Sequence, residues 1–177
     1  MKDNVILIGF MGAGKTSVSR ALAKAENLPL VDIDEMIEKE AGMVTSEIFR
    51  LYGEERFRQM ETEMLKKLIR ETDHSVISVG GGLPVREINR RLMRELGTVV
   101  FLNVKAETVL KRLEGDTTRP MLYAADKEKR VNDLLAFRGP LYREAAHIVI
   151  DTDDKTILQV AREVARTALG VTGCGES

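Results

Sequence analysis

The stretch GFMGAGKT, residues 9–16, decides the fold predicted for this chain. It has the pattern G-x-x-x-x-G-K-[ST] and lies between the apolar run NVILI and a segment with helical periodicity. In such a loop, backbone N–H groups surround phosphate oxygens, and Gly12 and Gly14 have no Cβ to block that approach. The helix beginning near Lys15 adds its positive end. The motif therefore predicts a nucleoside triphosphate site, with Lys15 on the terminal phosphates and Thr16 on Mg²⁺. It does not distinguish a kinase from an ATPase or a GTPase.

The composition of the 177-residue chain narrows the classes of protein that fit it. Lys and Arg number 27 against 28 Asp and Glu, so no nucleic-acid-coating surface is predicted. The single cysteine, Cys174, cannot form a disulfide within the chain, which suits a reducing cytosol. No apolar run approaches the ~20 residues of a membrane span, and the first strand leaves no room for a signal peptide after Met1. We expect one cytoplasmic domain over residues 1–177, monomeric, without a membrane or nucleic-acid partner.

Five Val- and Ile-rich runs predict strands, at residues 4–9, 29–34, 75–80, 98–104 and 147–151. They show little polar alternation, which is typical of parallel strands covered on both faces. Helical patterns lie between and after them, at residues 16–27, 84–96 and 154–169. Strands that alternate with helices predict right-handed βαβ units, in which ligands bind beyond the carboxyl ends of the strands.

The predicted helices carry specific expectations. In the first, Val18, Ala21, Leu22 and Ala25 form one apolar stripe. The second begins with Pro84 at a first-turn position, and the last is capped by Asp153 or Asp154.

Two stretches interrupt the alternation. Residues from about 33 to 61 are too long for one crossover helix and predict two or three. Residues 114–125 show weak periodicity. The first fits a substrate-binding insertion and the second a mobile lid. Ordinary connecting segments remain the alternative, which length alone favours.

Two aspartates end the second predicted strand. Asp32 and Asp34 are two residues apart, so on a strand they share a face beside the phosphate loop. One carboxylate can hold a metal, and the other can orient or deprotonate an attacking hydroxyl. The alternative is that Asp34 only caps the following helix.

A candidate clamp for an anion comes from scattered basic residues. Arg58 and Glu61 lie three apart on one helical face, so Glu61 can hold the Arg58 guanidinium against a substrate carboxylate. A solvated ion pair is the commoner fate of such residues. Arg119 lies in the suspected lid, where it can close onto the terminal phosphate, and Arg138 precedes the last strand as a second guanidinium.

Three glycines follow the strand SVISV. Gly80, Gly81 and Gly82 can let a small ligand touch backbone amides, or can form a plain tight turn. A P-loop protein commonly carries an acidic metal ligand near this strand end. None is present, so Asp32 is the nearest candidate.

The motifs GFMGAGKT, VDID, GEERFR, VISVGGG, TTRP and FRGPLYREAA, in this order, resemble those of the shikimate kinases, a family of the P-loop nucleoside-monophosphate-kinase-like group. The match runs over nearly the whole chain. The resemblance implies a three-layer α/β/α fold with a five-stranded parallel sheet of order 2-3-1-4-5. It also implies a substrate-binding segment at about 33–61 and a lid at about 112–125. The implied reaction is the ATP-dependent phosphorylation of the 3-hydroxyl of shikimate, on the route to chorismate and the aromatic amino acids.

The resemblance also implies a role for each matched residue. The residues implied to bind ATP are Gly12, Ala13, Gly14, Lys15, Thr16, Ser17, Arg112 (stacked on adenine) and Arg119. Those implied to bind shikimate are Asp34, Arg58, Glu61, Gly80, Gly81, Gly82 and Arg138. Thr16 and Asp32 are implied to serve Mg²⁺. The implied catalytic residues are Lys15, Asp34 and Arg119.

Three other functions fit the phosphate loop less well. A gluconate kinase also acts on a carboxylate, but it would not need two arginines beside a GGG turn. A non-catalytic relative would predict the loss of Lys15, Asp34 or Arg119, and all three are present. A P-loop switch protein would need a nucleotide-sensing loop, of which the sequence shows no sign.

Overall fold

A computed structural model describes residues 2–114 and 126–171 of the chain. Its centre is a five-stranded parallel sheet of order β2-β3-β1-β4-β5. The strands are β1 (Val5–Ile8), β2 (Leu30–Asp32), β3 (Val76–Ser78), β4 (Thr98–Asn103) and β5 (Ile148–Asp151). The implied strand order is therefore confirmed.

Helices form a layer on each side of this sheet. Those in the described ranges are α1 (Lys15–Glu26), α2 (Ile33–Ala41), α3 (Thr45–Glu71), α4 (Glu87–Leu96), α5 (Ala106–Arg112), α6 (Lys127–Ala145) and α7 (Ile157–Ala168). Helices α1 and α7 pack on each other, whereas α4 packs on both α3 and α6. No helix in the two described ranges has the length and apolarity needed to cross a membrane.

The central strand β1 positions the phosphate loop. All four of its residues are buried, and it pairs with β3 on one side and β4 on the other. Strand β3 is buried throughout as well. The prediction of strands covered on both faces is therefore confirmed for the centre of the sheet. It is wrong for the edge strands, where Leu30 of β2 and Val149 of β5 are exposed.

The second strand is shorter than predicted. It ends at Asp32, whose carboxylate accepts a hydrogen bond from the Glu35 backbone N–H at 3.1 Å and caps α2. Asp34 therefore lies in the first turn of α2 and not on the strand. The prediction that the two aspartates share a strand face is wrong, and so is the alternative that Asp34 is the cap. Capping by Asp32 starts the helix before the strand pattern ends.

Helix α1 is rotated relative to its predicted stripe. Its buried residues are Val18, Ser19, Leu22 and Ala23. Ala25 is exposed, and Ala21 is half-buried. The prediction missed Ser19 because a hydroxyl counts as polar. Here the Ser19 hydroxyl donates to the Lys15 carbonyl one helical turn earlier, which satisfies it in the interior.

Two helix starts differ from the predictions. Pro84 lies in a separate 3-10 turn, Leu83–Val85, and α4 begins only at Glu87. Helix α7 is capped by Thr156 in a reciprocal capping box with Gln159, and neither Asp153 nor Asp154 caps it. The capping box satisfies two backbone donors at once, which gives it the advantage over a single aspartate.

The long interval after β2 contains more than one helix, as predicted. Helix α2 and the start of α3 fill residues 33–61, and Gly53 interrupts α3 with φ 82° and ψ 167°. A side chain at that φ would be strained, so glycine permits the break. Most of the predicted lid, residues 115–125, lies outside the described residues, and so does Arg119.

Candidate active site

The phosphate loop joins β1 to the amino end of α1. Gly12 and Gly14 have φ values of 80° and 86°, which let the loop curl at the start of the helix. The Lys15 ammonium donates a hydrogen bond to the Gly9 carbonyl, so this side chain folds back over the loop. Thr16 is exposed in the first turn of α1. The first-turn N–H groups, the positive end of the α1 dipole and the Lys15 ammonium therefore lie together at the carboxyl edge of the sheet. This arrangement can bind an anion.

Asp34 is placed beside the loop by the first turn of α2. Its Oδ1 atom is buried and has no hydrogen-bond partner among the residues that the structure describes. Burial raises the pKa of Asp34 to about 6, and the neighbouring charge of Asp32 adds to this rise, while Lys15 and Arg58 oppose it. A buried carboxylate oxygen without a donor is costly unless a ligand supplies one. Asp34 is thus a candidate acceptor for a substrate hydroxyl.

We expect the Asp34 carboxyl to titrate near pH 6 in the ligand-free protein, about two units above an ordinary aspartate, because burial disfavours its charged form. Carboxyl-detected NMR over pH 4–8 measures this midpoint. The resonance is assigned by its absence in Asp34→Asn. A midpoint below pH 5 would contradict the buried environment.

Arg58 and Glu61 form a buried ion pair on α3. The Arg58 Nη1 donates to both Glu61 carboxylate oxygens at 2.8 Å. The Glu61 side chain is 0% exposed and that of Arg58 is 15% exposed. Burial raises the pKa of Glu61 to about 7, and the Arg58 charge opposes this rise. The alternative of a solvated pair is therefore wrong, and Glu61 fixes the guanidinium in one direction.

Asp34, Arg58 and Arg138 each lie against one of the three glycines. A Cβ at Gly80 would lie 3.0 Å from Asp34 Oδ2, and one at Gly82 would lie 2.2 Å from Arg58 Nη2. A Cβ at Gly81 would lie 3.3 Å from Arg138 Nη1. The turn is therefore packed directly against a carboxylate and two guanidiniums, which is more than a plain tight turn requires.

Gly82→Ala is expected to displace Arg58 without unfolding the protein, because the added methyl meets the far end of a flexible side chain. A misplaced clamp should raise the KM for the anionic substrate about 10- to 100-fold. Gly139→Ala is the matched control, since a Cβ there meets nothing within 4 Å and Gly139 lies within α6. Steady-state kinetics of both variants check this. Equal KM values for Gly82→Ala and the wild type would contradict the clamp geometry.

Arg138 and Tyr142 approach the same turn from α6. The Arg138 guanidinium lies over the Phe10 ring, 6.0 Å from its centroid. One helical turn later, the Tyr142 hydroxyl donates to the Gly81 carbonyl at 2.6 Å. Burial raises the pKa of Tyr142 to about 12, so it remains a donor. Sequence reasoning missed Tyr142, although its i,i+4 spacing from Arg138 was a usable signal.

Arg112 ends α5 on the opposite side of the phosphate loop. Its Nη1 donates to the Gly12 carbonyl at 2.7 Å and its Nη2 to the Thr152 carbonyl at 3.3 Å. The neighbouring Asp153 accepts from the Thr108 hydroxyl at 2.6 Å and from the Lys105 N–H at 3.2 Å. Arg112 therefore links the phosphate loop to the segment after β5.

A single cavity of about 560 Å³ joins these groups. The predicted site residues that line it are Gly12, Gly14, Lys15, Thr16, Ser17, Asp32, Asp34, Arg58, Glu61, Gly80, Gly81, Gly82, Arg112 and Arg138. Ala13 is a buried residue of the loop and does not line the cavity, and Arg119 lies outside the described residues. Thr45, Phe49, Phe57 and Ser78 also line the cavity and were not singled out from the sequence.

A phosphate loop on a sheet of this order, opening into a cavity with a carboxylate and two guanidiniums, defines a P-loop kinase of small molecules. The family model described as "Shikimate kinase" matches residues 11–169. The chain belongs to the shikimate kinase family.

Individual relatives agree with the family match. The curated shikimate kinase of Thioalkalivibrio sulfidiphilus is 43% identical over 93% of this chain and 86% of its own length. That of Thermodesulfovibrio yellowstonii is 42% identical over 92% of this chain and 93% of its own. The solved structure of a shikimate kinase from Acinetobacter baumannii in complex with shikimate has a TM-score of 0.87 at 36% identity, covering 94% of this chain and 93% of that one.

Proposed function

We propose that this kinase transfers the terminal phosphoryl group of ATP to the 3-hydroxyl of shikimate, on the route to chorismate and the aromatic amino acids. The observation that carries the proposal is the convergence of Asp34, Arg58 and Arg138 on the glycine turn beside the phosphate loop. A small anionic polyol needs a carboxylate clamp and a hydroxyl acceptor, and this cavity provides both.

The two arginines hold the shikimate carboxylate. Both guanidiniums lie against successive glycines of one turn, so their donors face the same space. Glu61 keeps Arg58 in place, and the Phe10 ring supports Arg138. Paired guanidinium forks give both affinity and orientation, because each presents several N–H donors in a fixed plane.

Asp34 accepts the hydrogen bond of the substrate hydroxyl that attacks. At neutral pH it is mostly ionised, since its pKa is about 6. The new bond joins the hydroxyl oxygen to the terminal phosphorus, the bond from that phosphorus to the bridging oxygen breaks, and the hydroxyl proton leaves through Asp34. Lys15 and the amino end of α1 balance the charge on the phosphates.

Thr16 and Asp32 would hold Mg²⁺, which supplies charge neutralisation on the phosphates when bound. The donor set fits this ion: a hydroxyl and a carboxylate are hard oxygen ligands, and both line the cavity. The cap at Asp32 engages Oδ1 once, so acceptor capacity remains on the carboxylate.

The organisation of the chain is part of the same proposal. Residues 1–177 form one domain with a substrate-binding segment at about 33–61 and a lid at about 112–125. Arg119 closes from the lid onto the terminal phosphate, which excludes water and limits ATP hydrolysis. Arg112 supports the adenine. The protein acts in the cytoplasm, in line with its single cysteine, and it acts as a monomer.

A coupled ADP-release assay with shikimate, quinate and gluconate in parallel tests the substrate. We expect rapid ADP release with shikimate and far less with the other two, because the clamp and Asp34 are set for one arrangement of carboxylate and hydroxyls. Activity with gluconate and none with shikimate would overturn the proposal. ADP release at the same rate without any of the three acceptors would show that the chain is an ATPase.

A further inference from the structure

A buried pair of polar side chains joins the helix that carries Arg58 to the glycine turn. Thr62 lies one helical turn after Arg58, and its hydroxyl is 2.6 Å from the Asn89 Oδ1. The Asn89 Nδ2 donates to the Leu83 carbonyl at 2.9 Å. Leu83 immediately follows Gly82, against which the Arg58 guanidinium packs. The pair thus bridges the two sides of the clamp.

The chemistry of this bridge admits one orientation. A carbonyl only accepts, so the amide nitrogen of Asn89 must face Leu83, and the amide oxygen then faces Thr62. The Thr62 hydroxyl has one proton and two possible acceptors, the Asn89 Oδ1 at 2.6 Å and the Arg58 carbonyl at 3.1 Å. It donates to Asn89, which is the shorter contact. Asn89 is 0% exposed and Thr62 is 9% exposed, so no water replaces a lost partner.

The neighbouring Arg90 completes the support of the turn. Its Nη1 donates to the Pro84 and Val85 carbonyls at 3.0 and 2.8 Å. Two successive residues of α4 therefore hold all three carbonyls of the 3-10 turn. Asn89 also connects that turn onward to α3, because its other amide atom contacts Thr62. At the end of the turn, the Arg86 guanidinium pairs with Glu55 of α3, but Glu55 is exposed, so the buried link is the one through Asn89.

We propose that Thr62 and Asn89 are positioning residues that set the distance between Arg58 and the glycine turn, and hence the affinity for the substrate carboxylate. The inference rests on the proposed shikimate site. Breaking the bridge lets α3 shift relative to the turn. A small shift of the Arg58 guanidinium weakens binding of the substrate carboxylate, although the protein remains folded.

The test is Thr62→Val, which keeps the shape of the side chain and removes its hydroxyl. We expect the KM for shikimate to rise about tenfold, as for a lost hydrogen bond to a buried group, with the KM for ATP within about twofold of wild type. Thr62→Ser, which keeps the hydroxyl, should restore the shikimate KM. In an Arg58→Ala background, Thr62→Val should add nothing, because the clamp it positions is already gone.

Asn4 provides the matched control for a merely structural effect. It is a buried asparagine that donates to the Thr72 and Leu96 carbonyls and accepts from the Ser75 N–H, before the amino end of β1. Asn4→Ala should lower the melting temperature and leave the shikimate KM unchanged. If Thr62→Val behaves like Asn4→Ala, raises both KM values equally, or adds to Arg58→Ala, the positioning role is wrong. If wild-type protein fails to phosphorylate shikimate, the proposed function itself fails.

Discussion

Asp34→Asn is expected to lower kcat with shikimate by about 100- to 10,000-fold, the usual contribution of a positioned acid–base group. The amide keeps the size of the carboxyl but cannot take a proton, and its NH₂ group would confront the hydroxyl as a donor. Binding of ATP should change little, because the proposed phosphate site is the loop at residues 9–16 and not Asp34. The loss should therefore appear in kcat and not in the KM for ATP.

Stability separates this effect from damage to the fold. The pKa of Asp34 in the folded state is raised, so its ionised form costs stability as the pH rises through about 6. Asp34→Asn removes that cost, and its melting temperature at pH 7.5 should match or exceed that of the wild type. Glu35→Gln, on an exposed neighbour in α2, is the control and should keep full activity. A kcat for Asp34→Asn within a few-fold of wild type would exclude Asp34 from the proton transfer.

Arg58→Ala is expected to raise the KM for shikimate about 100-fold, since truncating one partner of a desolvated charge pair commonly costs ~2–5 kcal/mol. The change removes a donor to the substrate carboxylate. It also leaves the buried Glu61 next to that carboxylate without its cation. Saturating shikimate should recover much of kcat, because Asp34 and the phosphate loop remain in place.

Two further variants separate the loss of substrate binding from the loss of stability. Arg58→Ala combined with Glu61→Gln should regain stability, because no buried charge is left unpaired, but should keep the high KM. Arg56→Ala, which removes an exposed arginine paired with Glu63, should leave the shikimate KM unchanged. Kinetics and thermal melts of the three variants provide the measurement. An unchanged shikimate KM in Arg58→Ala would refute the clamp.

The sheet and the phosphate loop could be predicted from sequence patterns, because both depend on local signals. An uninterrupted apolar strand such as β1 can be recognised without knowing which strands it pairs with. The glycine spacing of the loop determines its backbone conformation directly. The same reasoning misplaced Asp34, because a single capping bond at Asp32 turned the end of a strand pattern into a helix. Element boundaries depend on such competitions between nearly equal local states.

The environment of the clamp could not be derived from local patterns. An Arg–Glu pair at i,i+3 has the same sequence whether it is solvated or buried, and only the tertiary structure shows that the Glu61 side chain is 0% exposed. Likewise, nothing local shows that Asn89 reaches from α4 to both Thr62 and Leu83. Long-range contacts decide these roles. Arg119 and the lid stay predictions.

β2 is an edge strand, and this position affects how long the active site stays assembled. This strand is three residues long, pairs with β3 alone among the strands in residues 2–114 and 126–171, and leaves Leu30 41% exposed, whereas β1 is paired on both sides. Local opening that detaches β2 would carry Asp34 away, while the phosphate loop stays attached to β1, which is buried and paired on both sides. Molecules in this partly opened state would still bind nucleotide but would not phosphorylate substrate.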